Sequence, residues 1–587
     1  FSGVFKVMCD VEFEPYTRLS KNGSVWIEPS HKSYAKHHND MDCFARTLHG
    51  SAGEELVYGQ WVELSTKASY VVFASDFVEA YCELRTTKEL LESFVHTNIW
   101  KNETVEEKKE KVEENEDSDE SRPSVYIIIL DSIANSQSWR ALSKTKALLE
   151  KEFDAVNFRH LNKVGDNSYP NAMAYLMGKL ITKLDRRVFG LESVEPDWNM
   201  TEACTKYHDE DGYIVKQFAE KGYVSMQAED WSSYIVNYPD CVGFERPPVK
   251  HYMRPFQLHY DRNYAKSKKF MGPGQCFEPH TFIFDYLDKF IEAYPDQPKV
   301  SLLWATELGH DNPENVYHAD EDLFMFFKTH RYEFDKSYLF FLSDHGIRWG
   351  AISDTYIGRR DRNNPMLYVS IPRDLRSAHH HQLKANEAQL LTSFDVHATL
   401  DDILQDPYLD GVYTAPSSLR GHSLLRPLPE TERSCRTLPI PVPYCLCEWP
   451  KTRITDENVQ DVVGVQATLL LNAIVAREGM QELCERFTYA ETRSLSFINH
   501  TSGLHELHII VDPCRALFKV LLRHLGGITT IAEDGFTRLN LYGTQADCVR
   551  GTARSDLRTL CCCRDRASRE PTRTWMDVTA KGIGTVF

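Results

Sequence analysis

The sequence predicts an α/β fold, with a mostly parallel sheet flanked by helices and a disulfide-rich α+β region behind it. Three observations predict this. Short, continuous apolar runs recur between residues 125 and 371, with helical patterns between several of them. Runs of that kind suit strands buried on both faces, and strands that alternate with helices form parallel sheets. Hydrophobic residues make up 42 % and charged residues 26 % of the 587 residues, an ordinary globular composition. Nine of the 15 cysteines follow Ser434, which marks a change of texture in the last quarter of the chain.

Taken in order, residues 1–100 hold Cys9, Cys43 and Cys82 and aromatic-rich pieces such as 70–77. Residues 101–122 carry ten carboxylates against Lys101, Lys108, Lys109, Lys111 and Arg122. That stretch has too little apolar content to order itself and reads as a linker or surface insertion. The α/β core is expected over 123–428. VYIIIL (Val125–Leu130) is its first buried strand and ends at Asp131. A helix is expected over 138–153, a strand over 154–161, and a helix over 170–184 with Pro170 in its first turn. Further strands are expected at 223–228, 300–305, Tyr338–Leu342 and 366–371. Residues 429–587 read as a separate cysteine-rich domain, with a helix over Glu457–Arg477 and a strand over 504–511. No run of ~18 apolar residues occurs, so no membrane-crossing helix is expected.

With 67 basic and 85 acidic residues the net charge is −18. No basic face is apparent, which excludes a nucleic-acid binder. The cysteines show no paired C-x-x-C pattern and read mostly as disulfides in an oxidising compartment, with one thiol left over by parity. Sequons at Asn22, Asn102, Asn199 and Asn499 fit glycosylation on a secretory route. The chain opens on Phe1 rather than methionine, which leaves room for a signal peptide or membrane anchor ahead of it. The expected location is extracellular or the secretory lumen.

Ligands of open α/β sheets bind beyond the carboxyl ends of the strands. Asp131 follows VYIIIL, and Asp344-His345-Gly346 follows YLFFLS. Carboxylates and an imidazole at such strand ends can share a divalent cation. Ser168, in VGDNSYPN, falls at the start of the helix near Pro170, where unpaired N–H groups and the helix dipole favour an anion. A plain helix cap is the competing reading for Ser168.

These residues resemble the alkaline phosphatase superfamily, which includes sulfatases, nucleotide pyrophosphatases and phosphoethanolamine transferases. The resemblance is strongest to an uncharacterised sulfatase-like family of extracellular animal proteins, domain of unknown function 229. The matching phrases are IIILDSIANSQSWR, KVGDNSYPNAMAYLMG, AEDW, GFERPP, WATELGHDN, FLSDHGIRWG and SFDVHATLDDIL, with CRTLPIPVPYCLC and LNLYGTQADCV in the tail. The resemblance implies an alkaline-phosphatase/sulfatase-like core. It implies Asp131, Ser168, Asp344 and His345 as ligands of a divalent metal, with zinc or manganese favoured and calcium a further candidate. It implies Ser168 as the catalytic nucleophile in a hydrolase or transferase acting on phosphate esters. The substrate would be a phosphorylated or sulfated small molecule, a lipid head group or a glycan.

Two departures matter. Thr306 stands where two-metal members carry an aspartate, so His310 and Glu307 are left as candidates for a second metal or for substrate, with Asp311, His379, His380, His381, His397 and His422 as weaker ones. A solvated loop is expected for 379–381. Ala172 replaces the arginine of the formylglycine motif C/S-x-P-x-R, which shifts weight from sulfate to phosphate esters. The alternatives kept are a sulfatase acting on a sulfated glycan and a catalytically silent binding protein. Arg348, just after the Asp-His-Gly motif, is a candidate substrate-binding residue, with Arg359 and Arg360 behind it.

Overall fold

The computed structural model describes residues 14–51, 55–65, 71–101, 122–238, 241–275, 277–348, 355–414, 416, 420–447, 450–498, 503–526, 528–540, 543–549 and 555–564. Its centre is a seven-stranded sheet. The order is Val156–Asn157, Leu367–Ser370, Tyr338–Leu342, Val125–Leu130, Lys299–Ala305, Val224–Glu229 and His251–Tyr252. The five strands from Tyr338–Leu342 to His251–Tyr252 are parallel, and the two on the other side pair antiparallel.

The apolar runs are apolar because both faces of the sheet are covered. Val125, Ile127 and Ile129 point into one core with Trp304, Phe340 and the helix Ser168–Met177. Tyr126, Ile128 and Leu130 point into a second with the helix Pro279–Ala293. Each fully buried side chain of this size contributes about 1.5–3 kcal/mol, so the central strand is anchored from both sides. Leu48, Phe77 and Val95, from the antiparallel sheet before residue 100, belong to the second core.

Behind the core, five antiparallel strands run Lys451–Arg453, Thr488–Ile498, Leu504–Asp512, Ala516–Leu525 and Ile528–Arg538. The helix Glu457–Arg477 lies on them through Val463, Ala467 and Leu471. It is 21 residues long and passes, by length and composition alone, for a membrane-crossing segment. Its apolar outer residues Val462, Val465 and Leu469 are exposed.

Among the described residues, six disulfides join Cys43–Cys82, Cys204–Cys241, Cys435–Cys445, Cys484–Cys561, Cys514–Cys562 and Cys548–Cys563. Cys447 is the one unpaired cysteine among the described residues. Asn22 and Asn199 are exposed, while Asn102 and Asn499 lie outside the described residues.

Three expected elements differ. The helix foreseen at 138–153 breaks at Leu142 into Asn135–Ala141 and Ser143–Glu152. The strand foreseen at 154–161 is two short pieces, Val156–Asn157 and Leu161–Asn162, the latter paired with Leu391–Thr392. The helix foreseen at 170–184 starts at Ser168 and stops at Met177, because Gly178 turns left-handed at φ +63°. A Cβ there would lie 2.7 Å from the His397 ring, so the turn requires glycine.

Candidate active site

Register brings the acidic strand ends together. Leu342 pairs with Ile129 across parallel neighbours, so Asp344 and Asp131, each two residues further on, emerge side by side. Ala305 pairs with Leu130, which sets Thr306 beside Asp131 on the other flank. Asp131, Asp344 and His345 are buried, and one ligand atom from each lies within 4.8 Å of the others.

Ser168 opens its helix, and its hydroxyl donates to Asp131 Oδ2 at 3.1 Å. Its Oγ is 3.4 Å from His345 Nε2. Trp304 Nε1–H also donates to Asp131 Oδ2, at 3.3 Å, and the Ser132 hydroxyl donates to Asp131 Oδ1 at 2.8 Å. Ser132 itself sits at φ +63°, an uncommon conformation for a residue with a side chain. There its N–H donates to Asp344 Oδ1 at 3.1 Å. Such outliers persist only where the surroundings hold them, and they cluster at functional sites.

Burial, with Asp344 as a like-charged neighbour, pushes the Asp131 carboxyl up to about 6. Burial pushes the His345 imidazole down to about 3, so the ring is neutral. The Gly346 carbonyl can only accept, and His345 Nδ1 lies 3.0 Å from it, so Nδ1 carries the hydrogen and Nε2 keeps a lone pair. That lone pair is 3.3 Å from Asp344 Oδ2, a buried oxygen with no hydrogen-bond partner. Two acceptors facing each other in a buried site are costly unless a cation lies between them. The residues therefore fit a divalent metal.

A second group of charges flanks the helix start. Lys163 is fully buried, with Nζ 3.1 Å from the Asp166 carbonyl and 3.4 Å from its carboxylate. Burial lowers Lys163 to about 8. Burial opposes the Asp166 charge, but Lys163, Arg348 and Arg362 outweigh it and hold that carboxyl at about 2. Arg348 lies 3.7 Å from Asp166 and acts electrostatically on His345, so the structure brings it to the rim of the site.

His310 lies within electrostatic reach of Asp131 but adds no ligand atom to the group of Asp131, Asp344 and His345. Its Nδ1 pairs with Asp311 at 2.7 Å, which raises its pKa against burial. Among the described residues no second group of three ligand atoms forms around His310 or Glu307. His379, His380 and His381 lie on the helix Arg373–Asn386, not in the expected loop, and His380 Nε2 bonds the Asp154 carbonyl. His397 is buried, with Nδ1 donating to the Tyr175 carbonyl. The backbone N–H of His422 donates to Asp395 Oδ1 at 2.9 Å. Arg360 is exposed, and the side chain of Arg359 is outside what the structure describes.

Sequence reasoning assigned nothing to Asp230, Lys163 or Asp166. Asp230 follows the strand Val224–Glu229, and its Oδ1 accepts from the N–H of Thr306 at 2.6 Å and of Glu307 at 3.3 Å. Burial, then Glu307, pushes it up to about 8. It therefore holds the loop that carries His310. The rule that found Asp131 and Asp344, an acid just past a parallel strand, also covers Asp230.

Three solved structures are similar. A phosphonate monoester hydrolase from Silicibacter pomeroyi is 14 % identical, with 69 % of this chain and 90 % of that one covered and a TM-score of 0.37. The lipoteichoic acid synthase LtaP from Listeria monocytogenes is 10 % identical, with 77 % and 94 % covered and a TM-score of 0.34. A protein in the alkaline phosphatase superfamily from Vibrio parahaemolyticus is 12 % identical, with 70 % and 82 % covered and a TM-score of 0.36. All three likenesses are distant. No curated protein sequence matches. The match to the family described as "Protein of unknown function (DUF229)" runs over residues 6–493, and the chain belongs to that family.

Proposed function

We propose that this protein is a metal-dependent hydrolase or transferase of phosphate esters, with Ser168 as nucleophile. The observation that carries the reading is the position of Ser168 Oγ. It stands at a helix N-terminus, 3.1 Å from Asp131 Oδ2 and 3.4 Å from His345 Nε2, with Asp344 in the same buried group.

Asp131, Asp344 and His345, with Ser168, would hold the cation; two carboxylates and one imidazole suit zinc or manganese better than calcium. When bound, such an ion supplies Lewis-acid stabilisation of charge on the nucleophile and on a phosphoryl oxygen. The residues do the rest. The helix N-terminus favours the anionic ester, and Arg348 orients its oxygens. Asp131 Oδ2 accepts the Ser168 hydroxyl hydrogen and holds that proton as Oγ bonds to phosphorus. The bond from phosphorus to the alcohol breaks, and the alcohol oxygen takes a proton from water. Water or an acceptor alcohol then attacks the phosphoserine, and Oγ leaves with its proton restored.

Ala172, fully buried in the helix, supplies no arginine for formylglycine formation, which favours phosphate over sulfate esters. The six disulfides among the described residues favour an extracellular or secretory-lumen location. The test is nitrophenol release from nitrophenyl phosphate, bis-nitrophenyl phosphate and nitrophenyl sulfate with zinc or manganese added. Turnover of a phosphate ester that disappears in Ser168→Ala and in Asp344→Ala, both still folded, is expected. Wild-type turnover in either variant refutes the reading, and turnover of the sulfate alone moves it to a sulfatase.

A further inference from the structure

Residues 435–447 lie against Asn162 and Lys163, which precede Ser168 closely in the chain. Asn162 Nδ2 donates to the Tyr444 carbonyl at 2.8 Å, and the Leu446 N–H donates to Asn162 Oδ1 at 2.9 Å. The Lys163 ammonium stands 4.6 Å from the centre of the Tyr444 ring. Tyr444 also lines a cavity of about 440 Å³ that opens beside Asn167 and takes its lining from residues as distant in sequence as Asp166 and Leu560. Between Tyr444 and Leu446 stands Cys445, bonded to Cys435.

A third sulfur completes the group. Cys447 Sγ is 3.5 Å from Cys435 Sγ, and the three sulfurs lie within 4.8 Å of one another. The Cys447 N–H donates to Cys445 Sγ at 3.3 Å. Cys447 is half-buried and carries the thiol that the described disulfides leave over. A disulfide is broken when a thiolate attacks one of its sulfurs and the other leaves as a thiolate. Cys435 is fully buried, so attack on its sulfur falls to a thiol already inside the fold, and Cys447 is in contact with it. The sulfur that would leave, Cys445 Sγ, already accepts an N–H, and such a bond strengthens when the acceptor becomes charged.

We propose that Cys435, Cys445 and Cys447 form a thiol–disulfide exchange site. The Cys447 thiolate bonds to Cys435 Sγ, the bond from Cys435 to Cys445 breaks, and Cys445 leaves as a thiolate that takes up the proton Cys447 gave away. No electrons enter or leave, so the step needs no oxidant. The product is a Cys435–Cys447 disulfide with a free Cys445 thiol. Releasing Cys445 loosens its neighbours Tyr444 and Leu446 from Asn162, so the two linkages give two settings of the cavity wall at Tyr444.

The experiment maps the linkages in the purified full chain after incubation at pH 8. Thiols are trapped by acid and labelled with N-ethylmaleimide. Trypsin cuts after Arg436, which separates Cys435 from the peptide that holds both Cys445 and Cys447, and mass spectrometry places the label within that peptide. The wild type is expected to show both linkages, with label on Cys445 in one and on Cys447 in the other. Either isomer, separated in acid, is expected to regenerate the other at pH 8. Cys445→Ser is expected to keep Cys435 oxidised through Cys447, and Cys447→Ser to keep it oxidised through Cys445. Deuterium uptake over 437–446 is expected to be about fivefold faster in Cys445→Ser than in Cys447→Ser, the worth of one lost hydrogen bond. Thermal unfolding checks that both variants fold, and the wild-type map depends on neither. Label on Cys447 alone in the wild type, isomers that do not interconvert, a free Cys435 thiol in folded Cys445→Ser, or zinc held by three unoxidised cysteines overturns the proposal. Equal deuterium uptake in the two variants overturns its link to Tyr444.

Discussion

Replacing Gly346 with alanine adds one methyl group directly behind the Asp344-His345 pair. Its Cβ would lie 1.9 Å from the carbonyl oxygen of Asp361, 2.7 Å from that carbonyl carbon and 3.2 Å from Ala134 Cβ. Carbon and oxygen in close contact sit about 3.3 Å apart, so the turn would have to retreat by roughly 1.4 Å. Little can yield, because the obstacle is backbone at the end of the helix Tyr356–Asn363 and Gly346 N–H donates to the Arg362 carbonyl at 3.1 Å. The retreat would carry His345 away from Ser168 and Asp131. A displacement of about 1 Å at a reacting centre costs on the order of 100-fold in rate, and overpacking costs about 1–3 kcal/mol in stability. The assay is kcat/KM for the Ser168-dependent ester, measured beside thermal unfolding. A loss of about 100-fold with a Tm drop of only a few degrees is expected. Unchanged turnover with a lowered Tm would refute the premise that the placement of Asp344 and His345 sets the rate.

Four further outcomes are expected. Burial pushes Glu229 up to about 8, so between its ordinary value and pH 8 the folded chain keeps a proton that the unfolded chain releases. Stability should therefore fall as pH rises through that window, by a few kcal/mol at most (about 1.4 per unit), and Glu229→Gln should flatten the fall in pH-dependent thermal melts. Arg348→Met should raise KM about 10- to 100-fold, the worth of a hydrogen bond to a charged oxygen, with zinc affinity by calorimetry unchanged. Replacing Cys484 and Cys561 together by alanine opens a loop of 77 residues and should cost about 4 kcal/mol in denaturant unfolding. Asp344→Asn should weaken zinc binding in calorimetry by at least about tenfold, since it removes one of two carboxylate ligands.

Much of the core was legible because buried parallel strands leave unmistakable apolar runs. VYIIIL, Val300 to Ala305 and YLFFL each became strands within a residue of their expected ends. The carboxylates were legible as ends of strands, but their meeting depends on register, which pairs Leu342 with Ile129 and leaves no local trace in the sequence. The helix at 170–184 was read too long because Leu180 and Ile181 keep a helical spacing past Gly178, whose turn is dictated by the distant His397 ring. His379–His381 read as a loop because the polar run hides an amphipathic helix that buries Leu383 and Asn386. The cavity was illegible, since it needs residues as far apart as Asp166 and Leu560.

Cys561, Cys562 and Cys563 follow directly on Leu560, and extended alternation sends the outer two to Cys484 and Cys548 and the middle one to Cys514. Three covalent ties thus converge on one tripeptide, while no cysteine occurs from Phe277 to Ser434, the stretch that holds Asp344 and His345. The sheet behind the core therefore owes its closure to oxidation, whereas the strand ends that carry Asp344 and His345 are set by register and packing alone, and reducing surroundings would loosen the former before the latter.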